Sequence, residues 1–258
     1  MSNQPETKST VPDAAADIPS SLSILVNSRK RISGTSDSNF NFKIDLPSHN
    51  KFNRVCVKNA LIPKSYYIVS AGFNTFTLQE AKGNVQITVP PGNYTRSSFQ
   101  KALAAILTAN SPGQLTYQVS YPATQSAADT GLFTYTCNGA ATFVIGDYLY
   151  EQLGFPANTT VALPATSTAV LKFIEEDCLV LHSNIVEPYK DDILAVFIVG
   201  SDPPFSSTKY ICPDVRMNAR KLTLAGGNSF SFVLTDEDSN IINLNQLNMV
   251  FELVFFTE

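Results

Sequence analysis

Tryptophan is absent from this chain, histidine occurs twice, and 16% of the 258 residues are charged. Each shortage closes a class of function. Without tryptophan the strongest sugar-stacking side chain is missing, although ten tyrosines can substitute for it. Two histidines, His49 and His182, with no GxSxG elbow leave a serine-type hydrolase without its usual machinery and make a poor transition-metal site. Cys56, Cys137, Cys178 and Cys212 lie too far apart for a CxxC zinc or redox pair and read as buried thiols in strands. The segment from Ala225 to Asn228 lacks the Lys-Ser/Thr of a phosphate loop and reads as a turn. No apolar run reaches the length of a membrane span, and residues 1–21 hold no signal-peptide core, so the expectation is synthesis in a reducing cytosol. The sequons at Asn93 and Asn158 are then chance matches. A net charge of -4 and a pI near 5.2 offer phosphate backbones no global attraction, and no specific nucleic-acid binding is expected.

What the chain has is 44% hydrophobic residues, enough for a core without metal or disulfide, spaced mostly at a period of two. The cleanest alternation sets Phe40, Phe42, Ile44 and Leu46 on one face against Asn41, Lys43 and Asp45 on the other. Further strands are read at 22–26, 54–62, 75–79, 85–89, 115–121, 132–137, 142–145, 170–174, 179–185 and 193–199. Near the C-terminus, Phe230, Phe232 and Leu234 alternate with Ser229, Ser231 and Val233 before an acidic turn, and residues 249–256 follow, which reads as a hairpin. Only Glu252 interrupts the last run, so that strand is either the centre of a sandwich or a subunit contact. One amphipathic helix carries Phe99, Ala102, Leu103, Ile106 and Leu107, with Ser97 as N-cap, Gln100 completing a capping box, and Asn110, Pro112 and Gly113 as the stop. A short second helix is expected at 147–153, capped by Asp147 and ended by Gly154. Residues 1–21 are too polar to bury and read as a flexible arm.

Candidate chemistry is sparse. Carboxylates cluster at Glu175, Glu176 and Asp177, at Asp191 and Asp192, and at Asp236, Glu237 and Asp238, which raises glycoside hydrolysis or calcium binding. Asp236, Asp238 and Asn240 imitate the start of a calcium loop, but Ile241 replaces its glycine and Leu247 its bidentate glutamate, so a solvated turn is the better reading. Arg29, Lys30 and Arg31, together with Arg216, Arg220 and Lys221, compose a candidate basic patch, read as a solvated or inter-subunit face for want of interleaved aromatics. His49 falls in a polar turn and His182 inside an apolar strand, so neither is assigned as a base. No catalytic, cofactor-binding or metal-binding residue is assigned, and the chain reads as non-enzymatic.

Taken in order, SILVNSRKRISGTSDSNFNFKIDLP, VCVKNALIP, ITVPPGNYTRSSFQKALAAIL, DYLYEQLGF and FSFVLTDEDSNIINLNQLNMVFELVFF resemble the single jelly-roll vertex (penton) capsid proteins of icosahedral double-stranded DNA viruses, virophages and polinton-like viruses. The resemblance covers most of residues 22–257. It implies an all-β single jelly-roll β-sandwich of two antiparallel sheets over residues 22–258, with one or two short helices, an insertion at about 93–175 and a flexible arm over 1–21. It also implies a homopentamer plugging the fivefold vertices of a capsid whose faces are tiled by a double jelly-roll major capsid protein. Minor capsid proteins would be further partners, and the location would be the virion after synthesis in the host cytoplasm. The family has no catalytic motif, so no functional residue carries over. Two alternatives stand beside it: a minor capsid or cement protein, and a jelly-roll receptor- or glycan-binding module using its loops.

Overall fold

The computed structural model describes residues 21–47, 51–121, 130–173, 178–187, 192–200, 203–223 and 227–257. Its first strands are β1 (Ser21–Asn27), β2 (Ser33–Ser36), β3 (Asn39–Lys43) and β4 (Arg54–Pro63). A middle stretch follows: β5 (Thr75–Glu80), β6 (Gly83–Thr88), α1 (Arg96–Asn110), β7 (Tyr117–Ser120), β8 (Thr134–Cys137), β9 (Ala141–Ile145), α2 (Tyr150–Leu153), β10 (Thr159–Ala162) and β11 (Ala165–Thr166). The chain closes with β12 (Cys178–Ser183), β13 (Ile193–Ile198), β14 (Ser207–Ile211), β15 (Arg220–Lys221), β16 (Ser229–Thr235) and β17 (Val250–Phe256).

Eight of these strands wrap as a jelly roll. In chain order they are β1, β3, β4, β12, β13, β14, β16 and β17, and they pair antiparallel from the outside inward. The first pairs with the eighth, the second with the seventh, the third with the sixth and the fourth with the fifth. The result is two sheets, β1-β17-β4-β14 and β13-β12-β16-β3, with β2 extending the second and β15 pairing with β4. Alternation sends Val26, Val55, Val57, Leu253 and Phe255 inward from one sheet and Phe40, Leu179, Leu181, Phe232 and Leu234 inward from the other. Phe232 joins the layers, its ring 5.7 Å from Phe40 on the neighbouring strand and 5.1 Å from Phe251 on the facing sheet. The run around Glu252 is the centre of its sheet, since β17 pairs with β1 on one side and β4 on the other.

Between the third and fourth jelly-roll strands, residues from Val69 to Leu171 build a second core that shares no residue with the first. Its strands form the sheets β10-β9-β5-β6 and β11-β8-β7, and α1 packs on β6 and β7. Phe99, Leu103 and Leu107 form the buried stripe of α1, while Ala102 and Ile106 flank it half-buried. The ring of Phe99 lies 5.5 Å from Tyr94, 6.2 Å from a parallel Phe133 and 4.9 Å from Phe173. Buried Tyr135 donates its hydroxyl to the carbonyl of Leu153 at 2.7 Å, which meets the phenol's need for a partner. The C-terminal end of α1 is tied down by Glu80, whose carboxylate accepts from Tyr117 Oη at 2.6 Å, from Ser111 Oγ at 2.7 Å and from the Gly113 N–H. Burial alone would raise the Glu80 pKa, but these three donors outweigh it and hold the carboxyl below its usual value.

Four local expectations are corrected. The cap of α1 is Thr95, not Ser97, and its box partner is Ser98, not Gln100. Thr95 Oγ1 accepts from the Ser98 N–H at 3.2 Å, and Ser98 Oγ accepts from the Thr95 N–H at 2.9 Å. The second helix is a single turn that Asp147 does not cap. Leu149 precedes it at φ 58°, and Asp147 instead accepts from Asn158 Nδ2 at 2.7 Å. No strand forms at 170–173, while residue 174 lies outside the described residues. The backbone of Leu171 there donates to Gly131 and that of Lys172 to Glu151, with Leu171 buried in the second core. Finally, β16 and β17 are not a hairpin: β16 pairs with β3 and β12, and β17 with β1 and β4, in the opposite sheet. The acidic turn closes a short bridge between Thr235 and Ile241, after which the chain crosses over. Of the expected arm, residues 1–20 lie outside the described residues, and Ser21 opens β1.

Candidate assembly surfaces

The pleat that fills the core also decides what each sheet shows on its outside. On the first sheet a β-bulge in β4 opposite Glu252 turns both Lys58 and Asn59 outward. Glu252 accepts from Asn59 Nδ2 at 2.7 Å and pairs with Lys58 Nζ at 3.3 Å. Burial would raise its pKa, yet Asn59, Ser23 and Lys58 together hold it low. Around this polar centre stand Leu25 and Leu61, both exposed, and Val250, half-buried.

Edges matter more than faces here. β13 and β14 are the edge strands on one flank, each ending its sheet. They present Ile198 at 75% exposure, Ile211 at 76% and, between the two strands, Phe205 at 70%. β1 and β2 form the opposite flank, with Leu25 64% exposed and Ile32 56%. A sheet edge that also carries apolar side chains is a pairing template unless something covers it. The sequence reading missed these positions, although the unbroken apolar run ILAVFIV from Ile193 signals a strand that is apolar on both sides.

His182 lies on the outer side of β12, with Nδ1 2.7 Å from Asp192 Oδ1 and Nε2 3.2 Å from Thr235 Oγ1. Asp-His-hydroxyl order invites comparison with a catalytic relay. The hydroxyl, however, belongs to a residue that is 5% exposed and donates to the Asp236 carbonyl at 2.9 Å, so the array serves to clamp β12, β13 and β16. His49, Glu175, Glu176, Asp177 and Asp191 lie outside the described residues. Asp236 accepts from the Asn240 backbone N–H at 2.8 Å and from its Nδ2 at 2.9 Å, which makes the acidic segment a self-closed turn. Among the described residues no group of three or more His, Cys, Asp or Glu is placed to hold a metal, and no helix is long and apolar enough to cross a membrane.

The two basic groups do not form one patch. Arg29, Lys30 and Arg31 follow β1 near the Asn27/Val250/Leu61 row, whereas Arg220 and Lys221 pair with Val55 and Arg54 at the other end of β4, about 23 Å away at 3.3 Å per residue. Arg31 is tied to Asp37 at 2.6 Å and Lys221 to Glu187 at 2.9 Å. A cleft of about 530 Å³ opens where the two cores meet, with Tyr67, Phe73 and Pro91 on one wall and Asp236, Asn240 and Asn243 on the other.

Comparison with solved structures adds a likeness of fold. No protein-family model matches the chain, and no curated protein matches it. Among solved structures it is similar to the mavirus penton protein, at 11% identity and a TM-score of 0.49, over 92% of this chain and 99% of that one. The jelly-roll assignment stands on the strand pairing itself.

Proposed function

We propose that this chain is a structural virion protein that assembles as a homopentamer at the fivefold vertices of an icosahedral capsid of a double-stranded DNA virus. The observation that carries the reading is the pair of opposite flanks, β13/β14 and β1/β2, both lined with exposed apolar side chains. A closed ring needs two different surfaces on each subunit, one meeting the other on its neighbour. The sequence resemblance to penton proteins supplies the setting, with a double jelly-roll major capsid protein as neighbour, minor capsid proteins as further partners, and synthesis in the host cytoplasm before incorporation. The role requires no catalytic residue or cofactor, and the chain is read as non-enzymatic. We read the second core as the insertion expected at about 93–175; its buried residues run from Val69 to Leu171, and β5 and β6 pack in it, which supports a start before residue 93.

Cryo-electron microscopy of the assembled particle tests this directly. Five copies around each fivefold axis are expected; density elsewhere on the shell moves the chain to a cement role, and absence from particles overturns the reading. In the same particles Ile198→Asp and Ile32→Asp, which change exposed residues on opposite flanks, should empty the vertices without lowering the melting temperature of the free subunit. A second reading, glycan or receptor binding, is favoured by the cleft, whose aromatic wall and amide-bearing wall suit the apolar face and hydroxyl edge of a sugar. Affinity for a neutral glycan lost in Phe73→Ala would support it.

A further inference from the structure

Cys56 points to the outside of the first sheet, opposite Val254, yet it is only 2% exposed. What covers it is the segment between β14 and β15. After β14 the backbone N–H of Cys212 donates to the Lys58 carbonyl at 2.8 Å, which continues the ladder for one residue and brings the Cys212 sulfur to 3.7 Å from that of Cys56. The chain then folds into a compact turn in which Asp214 accepts from the N–H groups of Arg216 and Met217, before rejoining β4 as β15. Two thiols 156 residues apart are thus held in van der Waals contact by backbone that is hydrogen-bonded on both sides. Cys137 and Cys178 sit on other sheets.

We infer that Cys56 and Cys212 are a redox pair, a dithiol in a reducing compartment and a disulfide in an oxidising one. A disulfide needs sulfurs about 2.05 Å apart, so closure must draw the two sulfurs in from 3.7 Å. The oxidant is a small-molecule disulfide such as oxidised glutathione. Cys212, the more exposed at 8%, attacks it first and releases one reduced glutathione. Cys56 then attacks the Cys212 sulfur of the mixed disulfide and releases the second. Two protein thiols are oxidised, one glutathione disulfide is reduced, and the two thiol protons end on the two glutathione thiols that leave. Burial, followed by the hydrogen bond and charge of Cys212, pushes the Cys56 thiol up to about 12, so the closing step is slow at neutral pH and accelerates as pH rises. The bond would close a loop that contains the whole second core, and it constrains the unfolded chain accordingly. This inference does not depend on the assembly reading.

The test is incubation of the folded protein with oxidised glutathione, then alkylation, non-reducing digestion and mass spectrometry, with a melting curve on the same sample. The expected product joins the Cys56 and Cys212 peptides and melts about 5–15 °C higher than the reduced protein. Cys137→Ser and Cys178→Ser should keep both results. Cys56→Ser should stop at a glutathione adduct on Cys212, and the rate of bond formation in the unmutated chain should climb between pH 7 and 9. Should Cys56 and Cys212 both remain open to alkylation once the oxidised sample is unfolded, or should the bond form only in denaturant, the inference is overturned. Because the main readout comes from the unmutated chain, it holds even where a variant fails to fold.

Discussion

The two cores use the same materials and differ in where those materials come from. The second core draws its buried residues from one stretch, Val69 to Leu171, while the jelly-roll core joins residues from Val26 to Tyr66 with residues from Leu179 to Phe255. Both bury phenylalanines in mutual contact, so the local cost of emptying either should be similar. Their consequences should not be. A core closed within its own stretch can melt and reform by itself, whereas the jelly roll has to bring distant strands together before any of them is covered.

Phe232→Ala should show the largest effect, about 3–5 kcal/mol, because the ring contacts both sheets. Phe133→Ala should cost a similar amount in the second core, where its ring is fully buried. Calorimetry read beside near-ultraviolet circular dichroism decides whether each substitution moves its own transition; a single transition that both move equally would dissolve the distinction. Next comes Gly154→Ala, at about 2 kcal/mol and confined to the second core. Gly154 sits at φ 74°, and an added Cβ would lie 2.6 Å from the Cβ of Ser167.

Smaller effects follow from the two carboxylates that hold strands in place. Hydrogen-bond donors hold the carboxyls of both Glu80 and Glu252 below the usual glutamate pKa. The stability each contributes is therefore present above the unfolded value and is lost as pH falls through the lower folded one. Glu80→Gln should flatten the acid limb of the second core's melting curve, and Glu252→Gln that of the jelly roll, when melting temperatures are recorded from pH 6 to pH 3. Either variant flattening both limbs would mean the cores are linked. Smallest is Thr95→Ala, which removes the α1 cap at about 1 kcal/mol, visible as faster amide exchange in the first turn of that helix.

How legible these regions were follows the same division between near and far. The alternation of 40–46 and 54–62 and the stripe on α1 are local signals, and the structure contains β3, β4 and α1 there. The strands that escaped notice, such as β2 (SGTS), β11 (AT) and β15 (RK), have no apolar pattern and are strands because a partner makes them so. Periodicity also cannot name a sheet: Phe230 to Leu234 and the strand at 250–256 are neighbours in sequence but face each other across the core. In TRSS several hydroxyls can cap a helix, and the choice between Thr95 and Ser97 depends on which one the packed helix leaves outside. The flank residues Ile198 and Ile211, the His182 clamp and the Cys56–Cys212 contact are products of pairing between distant strands, so no motif announces them.

The pairing of β1 with β17 also sets a timetable. On a ribosome adding roughly 5–20 residues per second, β1 and β4 emerge tens of seconds before the strand that must lie between them. Throughout that interval the second core can complete itself and β4 can pair with β14, while β1 with its buried Val26 waits for the one strand of the sheet it pairs with. A message cut short before codon 250 therefore costs more than one strand, because it leaves a finished insertion on a sandwich whose first sheet is in two pieces.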